Sequence, residues 1–345
     1  MLLAASAPGG RAVWRRHAAA AGEALAAAWP GDRAGRYPAA LLLWMMRNAG
    51  EHDPGDSYAV VAAQRDCPDA WARAVARYVT GFGALGTGAA AAAERDLREA
   101  AAGFRALGDR WGTSLTLDVL AGLAAGRGDH AEAIDLTDQA LTLTDELGAL
   151  EDHADLLVNR ADLLLTRPAP PAGGSTDRTR ADNAPADNAR ADHALADRAR
   201  ADHARADYVR AADLARRAGS SAVLAAALRG LADLALRDGD PAEAERLYTD
   251  ALDRNDPHWV RSLGTQVRVL AGLARLAAAR GDHAAARARR REAAAVVATM
   301  GPSVPDALRL FGLPAEVLAA VSPDRRARSE HPLAEPRPAD PAIGR

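Results

Sequence analysis

Lysine is absent from this 345-residue chain, and all 43 basic residues are arginine. A phosphate-binding loop of the GxxxxGK[ST] type needs a lysine ammonium on the phosphates, so no such nucleotide site can be written with these residues. Schiff-base chemistry on lysine is excluded with it. Cysteine is nearly absent too. Cys67 alone builds neither a disulfide framework nor a cysteine zinc site, and this usage fits a reducing cytosol. Aromatic residues make up only 4% of the chain, against 49% hydrophobic residues of which much is alanine. Alanine is the best helix former and lets helices approach closely, so the composition reads all-α. The longest apolar run, AALLLWMM at 39–46, has 8 residues and is too short to span a bilayer. The start, MLLAASAPGG, lacks a basic stretch followed by a long apolar core and makes a poor signal peptide. A net charge of −3 and a pI near 6.3 leave no global basic field, so direct nucleic-acid binding by this chain is not expected. The expectation is a cytoplasmic protein with no membrane segment.

What the chain does contain is repetition. RGDHAEA at 127–133, DGDPAEA at 238–244 and RGDHAAA at 280–286 are near copies. A catalytic motif occurs once, whereas a turn joining the same two elements occurs once per repeat. Gly88, Gly128, Gly239 and Gly281 serve as register marks, separated by 40, 111 and 42 residues. The long gap holds two periods plus about 31 residues, so one repeat is hidden there and split by an insertion, with turn marks expected at Pro168 and Ala199. Positions 5, 9 and 12 after each mark are Ala93, Leu97 and Ala100; Ala133, Thr137 and Ala140; Ala204, Tyr208 and Ala211; Ala244, Tyr248 and Ala251; Ala286, Arg290 and Ala293. This spacing puts each trio on one helical face, and the alanines let a neighbouring helix come close. Gly108, Gly148, Gly219 and Gly301 stand 20 residues after four of the five marks, as left-handed helix stops. Asp129 with Glu132, and Asp240 with Glu243, form the N-terminal capping pattern, Pro241 takes the favoured first helical place, and Asp282 caps without its glutamate.

The order leucine, small residue, glycine turn, then A-x-x-x-Y/L-x-x-A resembles the tetratricopeptide repeat (TPR), best in LRGLADLALRDGDPAEAERLYTDAL at 228–252. The family's leucine and small residue fall on Leu120 and Ala121, Leu231 and Ala232, Leu273 and Ala274. The period of 40 to 42 departs from the family's shorter repeat and implies longer helices. The stretch 104–148 is also similar to the C-terminal TPR region of actinobacterial transcriptional activators of the antibiotic-regulatory-protein (SARP/NB-ARC) type. The resemblance implies an all-α, TPR-like helical-hairpin solenoid that works as the sensor portion of a transcriptional regulator.

Residues 1–66 read as an N-terminal helical cap, 67–310 as an array of about five helix pairs, and 322–345 as a disordered, proline-rich tail, with short helical pieces near 304–311 and 314–321. The segment 168–199 is a polar, low-complexity insertion. Its aspartates at 182, 187, 192, 197, 202 and 207 keep a strict period of 5, but a pentapeptide coil needs an apolar residue after each, and Asn183, Asn188, His193, Arg198 and His203 are polar. Asp187/Arg190, Asp197/Arg200 and Asp202/Arg205 form supportive i,i+3 pairs, so a solvated helical extension is expected, with disorder the alternative.

Catalytic patterns are missing. HExxH, GxSxG, a glycine-rich phosphate loop and a Ser-His-Asp set cannot be picked out, and no cofactor or metal site is expected. His130 and His283 occupy the slot that Pro241 fills in the third copy. His193 and His203 lie ten residues apart in the polar insert, and His153 reads as part of a solvated helix start. In tetratricopeptide arrays the first helix of each pair lines the concave face. That resemblance places groove positions at Asp118, Asp155, Asp162, Arg229, Asp233, Arg268 and Arg275, acids toward the N-terminal repeats and arginines toward the C-terminal ones. Such a graded surface suits an extended peptide or partner helix, with arginine forks taking carboxylates. The expected function is non-catalytic protein or peptide binding, with a stand-alone scaffold or peptide receptor as the alternative to a regulator.

Overall fold

A computed structural model describes residues 65–86, 89–166, 184–255 and 260–298; the side chains of 184–193, 260, 261 and 298 are outside that description. Ten helices and no strand occur among the described residues: α1 Ala70–Gly86, α2 Ala90–Ala106, α3 Arg110–Gly126, α4 His130–Leu147, α5 Leu150–Thr166, α6 Ala184–Ala218, α7 Ser221–Arg237, α8 Pro241–Arg254, α9 Val260–Ala279 and α10 His283–Ala298. They pack as five antiparallel pairs, α1/α2 through α9/α10, in an all-α helical-repeat solenoid. The expected cap at 1–66 and the tail at 322–345 fall almost wholly outside the described residues.

The repeated heptad is a turn plus an N-cap. Gly128, Gly239 and Gly281 take φ between 79° and 85°, which a glycine adopts without a Cβ penalty. The next aspartate turns its carboxylate to the open end of the second helix: Asp129 accepts from the Glu132 amide at 3.1 Å, Asp240 from Glu243 at 3.0 Å and Asp282 from Ala285 at 2.9 Å. Glu132 and Glu243 do not complete the box, because their carboxylates are taken by Arg98 and Arg127 and by Arg246. Gly108, Gly148 and Gly219 end the second helices in the same left-handed region.

The alanine trios form the seams. Ala93, Ala100, Ala133, Ala140, Ala204, Ala211, Ala244 and Ala251 are all 0% exposed. Between them stand Leu97, Thr137, Tyr208 and Tyr248, also fully buried. Tyr208 of α6 lies against Gly230 of α7, and Tyr248 of α8 against Gly272 of α9, so each tyrosine fills the space left by a missing side chain in the following pair. Indoles add a second periodic link: Trp71 donates to Asp109 at 2.9 Å and Trp111, 40 residues on, donates to Asp152 at 3.3 Å.

The expected turn at Ala199 does not exist. α6 runs unbroken for 35 residues from Ala184, so the described part of the polar insert, 184–199, continues the second helix of its pair toward its N-terminus. The alanine-rich sequence and the Asp197–Arg200 pair favour helix, and nothing at 199 breaks it. Residues 167–183, which include the mark at Pro168, lie outside the described residues.

First helices form the inner layer. α5 touches α7 and α7 touches α9, whereas second helices make no comparable contact with one another. The first-helix face is therefore the concave one.

Candidate functional site

On that face, α5, α7 and α9 converge on one carboxylate. Asp162 accepts a bidentate fork from Arg229, with Nη1 and Nη2 both at 2.8 Å, a bond from Arg268 Nη1, and another from the Tyr208 hydroxyl. The Asp162–Arg268 link joins residues 106 apart in sequence and skips a whole helix pair. A second carboxylate, Asp233, receives the Tyr248 hydroxyl, Arg229 Nη1 at 3.3 Å and Arg275 Nη2 at 3.2 Å. Arg229 bridges the two acids and lies over the Tyr208 ring, its Cζ 5.8 Å from the centroid.

The seam and the site are one construction. Tyr208 can be swallowed whole because Gly230 yields to it, and its hydroxyl is then delivered to Asp162. Tyr248 and Gly272 repeat the device for Asp233 one pair later.

The electrostatics follow from burial. Burial alone pushes the Asp162 carboxyl up, but the charges of Arg229 and Arg268 and the bonds from Arg229 and Tyr208 outweigh it and hold the group well below the usual carboxylate range. Tyr208 and Tyr248 are both raised, first by burial and then by the neighbouring carboxylate. Burial works against the Arg229 charge, yet Asp162 and Asp233 keep it firmly protonated. Two acids and three arginines thus share one network. Arg229 Nε is buried with no hydrogen-bond partner, and Arg275 is 58% exposed at the rim. An acceptor entering the groove meets Arg275 first.

Five of the seven groove residues read from the sequence, Asp162, Arg229, Asp233, Arg268 and Arg275, thus belong to one network. The picture of acids at one end and arginines at the other changes, because they pair with each other and Arg229 is only 4% exposed. Asp118 lies one pair earlier, accepting from Asn159 at 2.8 Å, and Asp155 sits two turns before Asp162 on α5. The two tyrosines were visible as repeat positions but not as ligands of the acids. The signal was a glycine 22 and 24 residues downstream of each.

His153 needs a correction. It is 8% exposed, not solvated, and its Nδ1 lies 3.0 Å from the Thr144 hydroxyl while Nε2 has no partner. Burial, and then the Arg210 charge, lower its pKa from the ordinary 6.5. A second knot lies close by: Arg160 forks onto the buried Asp207 at 2.7 and 2.8 Å and reaches Asp138 at 2.7 Å, tying α4, α5 and α6 together. No group of three potential metal ligands occurs among the described residues, and no helix there is long and apolar enough to cross a membrane.

No family model matches the chain, and no curated protein matches it. Among solved structures, BtubC (BKLC) from P. vanneervenii aligns with a TM-score of 0.46 and 18% identity, over 84% of this chain and 94% of that one.

Proposed function

We propose that this chain is a non-catalytic, TPR-type module that binds a protein or peptide segment along its first-helix face. One observation carries this reading: α5, α7 and α9 turn Asp162, Arg229, Arg268, Asp233 and Arg275 toward one another on the concave side, with Arg275 exposed at the rim. An extended peptide brings carbonyls and carboxylates to the exposed Arg275 guanidinium, and three successive first helices give it length to follow. The TPR assignment is supported by the two-helix unit, the buried alanine trios and the tyrosine–glycine seams. Service as the sensor region of a transcriptional regulator is supported only by the resemblance of 104–148 described above. A reading frame that continues upstream of Met1 into a winged helix and a phosphate-binding loop supports that role; its absence favours the free-standing scaffold.

The binding claim is tested by selecting a displayed random-peptide library on the full chain, then titrating enriched, fluorescein-labelled peptides by anisotropy. Arg275→Glu is the decisive variant because the residue sits at the rim and its loss leaves Arg229 and Asp162 paired. The reading expects peptides whose affinity falls about tenfold or more in the variant, as for a reversed interface charge. Peptides that bind both proteins equally, or no enrichment, overturn it.

A further inference from the structure

The last described helix, α10, carries a charge pattern that the inner junctions explain. At each junction where both residues are described, the residue six places after a register mark pairs with the residue one place before the next mark. Glu94 meets Arg127 at 2.8 Å, Arg205 meets Asp238, and Glu245 meets Arg280 at 2.6 Å. The sign differs among these three junctions, but each pair is of opposite charge; in α4 the place is the apolar Ile134. In α10 that place is Arg287.

The place nine after the mark tells the same story. Leu97, Thr137, Tyr208 and Tyr248 are completely buried there, and both tyrosines enter the following pair. Its counterpart in α10 is Arg290, which is exposed. Arg291, ten after the mark, is exposed as well, where Arg98 reaches across its junction to Glu132 at 2.6 Å. Arg287, Arg290 and Arg291 are spaced i, i+3, i+4 and so share one face. Arg289, between them, turns to Glu292 at 2.9 Å, leaving no carboxylate paired with the other three among the described residues.

We propose that the outer face of α10, through Arg287, Arg290 and Arg291, docks an acidic helical segment of a partner protein. The register says what fits. The occupant places a carboxylate opposite Arg287, as Asp238 does opposite Arg205, and acceptors rather than a glycine cleft opposite Arg290. An apolar helix leaves three guanidinium groups desolvated without counter-charge, which is costly. The surface is separate from the concave groove and stands or falls independently of it.

The test uses the full chain and a fluorescein-labelled alanine–glutamate helical peptide, with its alanine–glutamine counterpart and an oligothymidylate of equal charge as comparisons. The acidic peptide is expected to bind and the glutamine peptide not. Affinity should fall about tenfold or more in the Arg287→Glu/Arg290→Glu/Arg291→Glu variant and less in the corresponding triple glutamine variant, and stay constant in Arg246→Glu on α8. Reversal should also let the triple glutamate variant take an alanine–arginine peptide. Absence of binding by the acidic peptide, equal binding to wild type and triple variant, or tighter binding of the oligothymidylate each overturn the proposal, the last by making the face a phosphate surface.

Discussion

Gly230→Ala should destabilise the protein even though alanine is the better helix former. Gly230 lies inside α7, where alanine by propensity alone gains about 0.5–1 kcal/mol. A Cβ there falls 2.3 Å from both Cε1 and Cζ of Tyr208, far inside van der Waals contact. The ring cannot swing aside: Tyr208 is 0% exposed, its hydroxyl is bound to Asp162, and Arg229 lies over its face. Overpacking of this kind costs about 1–3 kcal/mol and here exceeds the propensity gain, leaving a net loss of about 1–2 kcal/mol. With a urea slope of about 3 kcal/mol/M the midpoint falls by roughly 0.5 M. The cause is checked with Tyr208→Thr, which copies Thr137 at the same register position. In that background Gly230→Ala should become neutral or stabilising, so the double-mutant cycle shows coupling above about 1 kcal/mol. A penalty that persists beside threonine, or a wild-type background stabilised by the alanine, refutes the seam as described.

Three further outcomes follow from the polar interior and the caps. Asp162→Ala leaves Arg229 buried without its main counter-charge and should cost about 3–5 kcal/mol by chemical denaturation. Because the Asp162 carboxyl is held below its ordinary 3.8, its stabilising contribution is fully present above that value and is lost as the pH falls below it, a slope that Asp162→Asn should flatten. His153 is depressed from 6.5, so the unfolded chain takes up a proton before the folded one. Stability should decline as the pH drops from about 7 toward 5, facing Arg210, Asp145 and Arg160, and His153→Gln should remove that decline in pH-dependent melting. Asp129→Ala should cost about 1 kcal/mol in the same denaturation assay, through loss of the bond to the Glu132 amide.

The architecture was legible because it is periodic. The glycine marks, the aspartate caps and the alanine trios recur at about 40 residues, and each reports a local requirement: a positive φ, an unpaired amide, a close helix approach. The turn expected at Ala199 failed because the period was carried across a segment whose alanine and Asp–Arg spacing favour unbroken helix. His153 looked solvated beside Glu151 and Asp152, yet its own position faces Thr144 at the α4/α5 seam. The groove residues followed from the tetratricopeptide resemblance. Their pairing was not, because Asp162 meets Arg268 only through the convergence of alternate helices, a distance no repeat unit encodes.

The most direct test of first-helix-face binding is hydrogen exchange on the full chain with and without a peptide selected on it. The account predicts added protection in α5, α7 and α9 around Asp162, Asp233 and Arg275, with the second helices α6, α8 and α10 unchanged. Protection confined to the second helices, or none at saturating peptide, contradicts it.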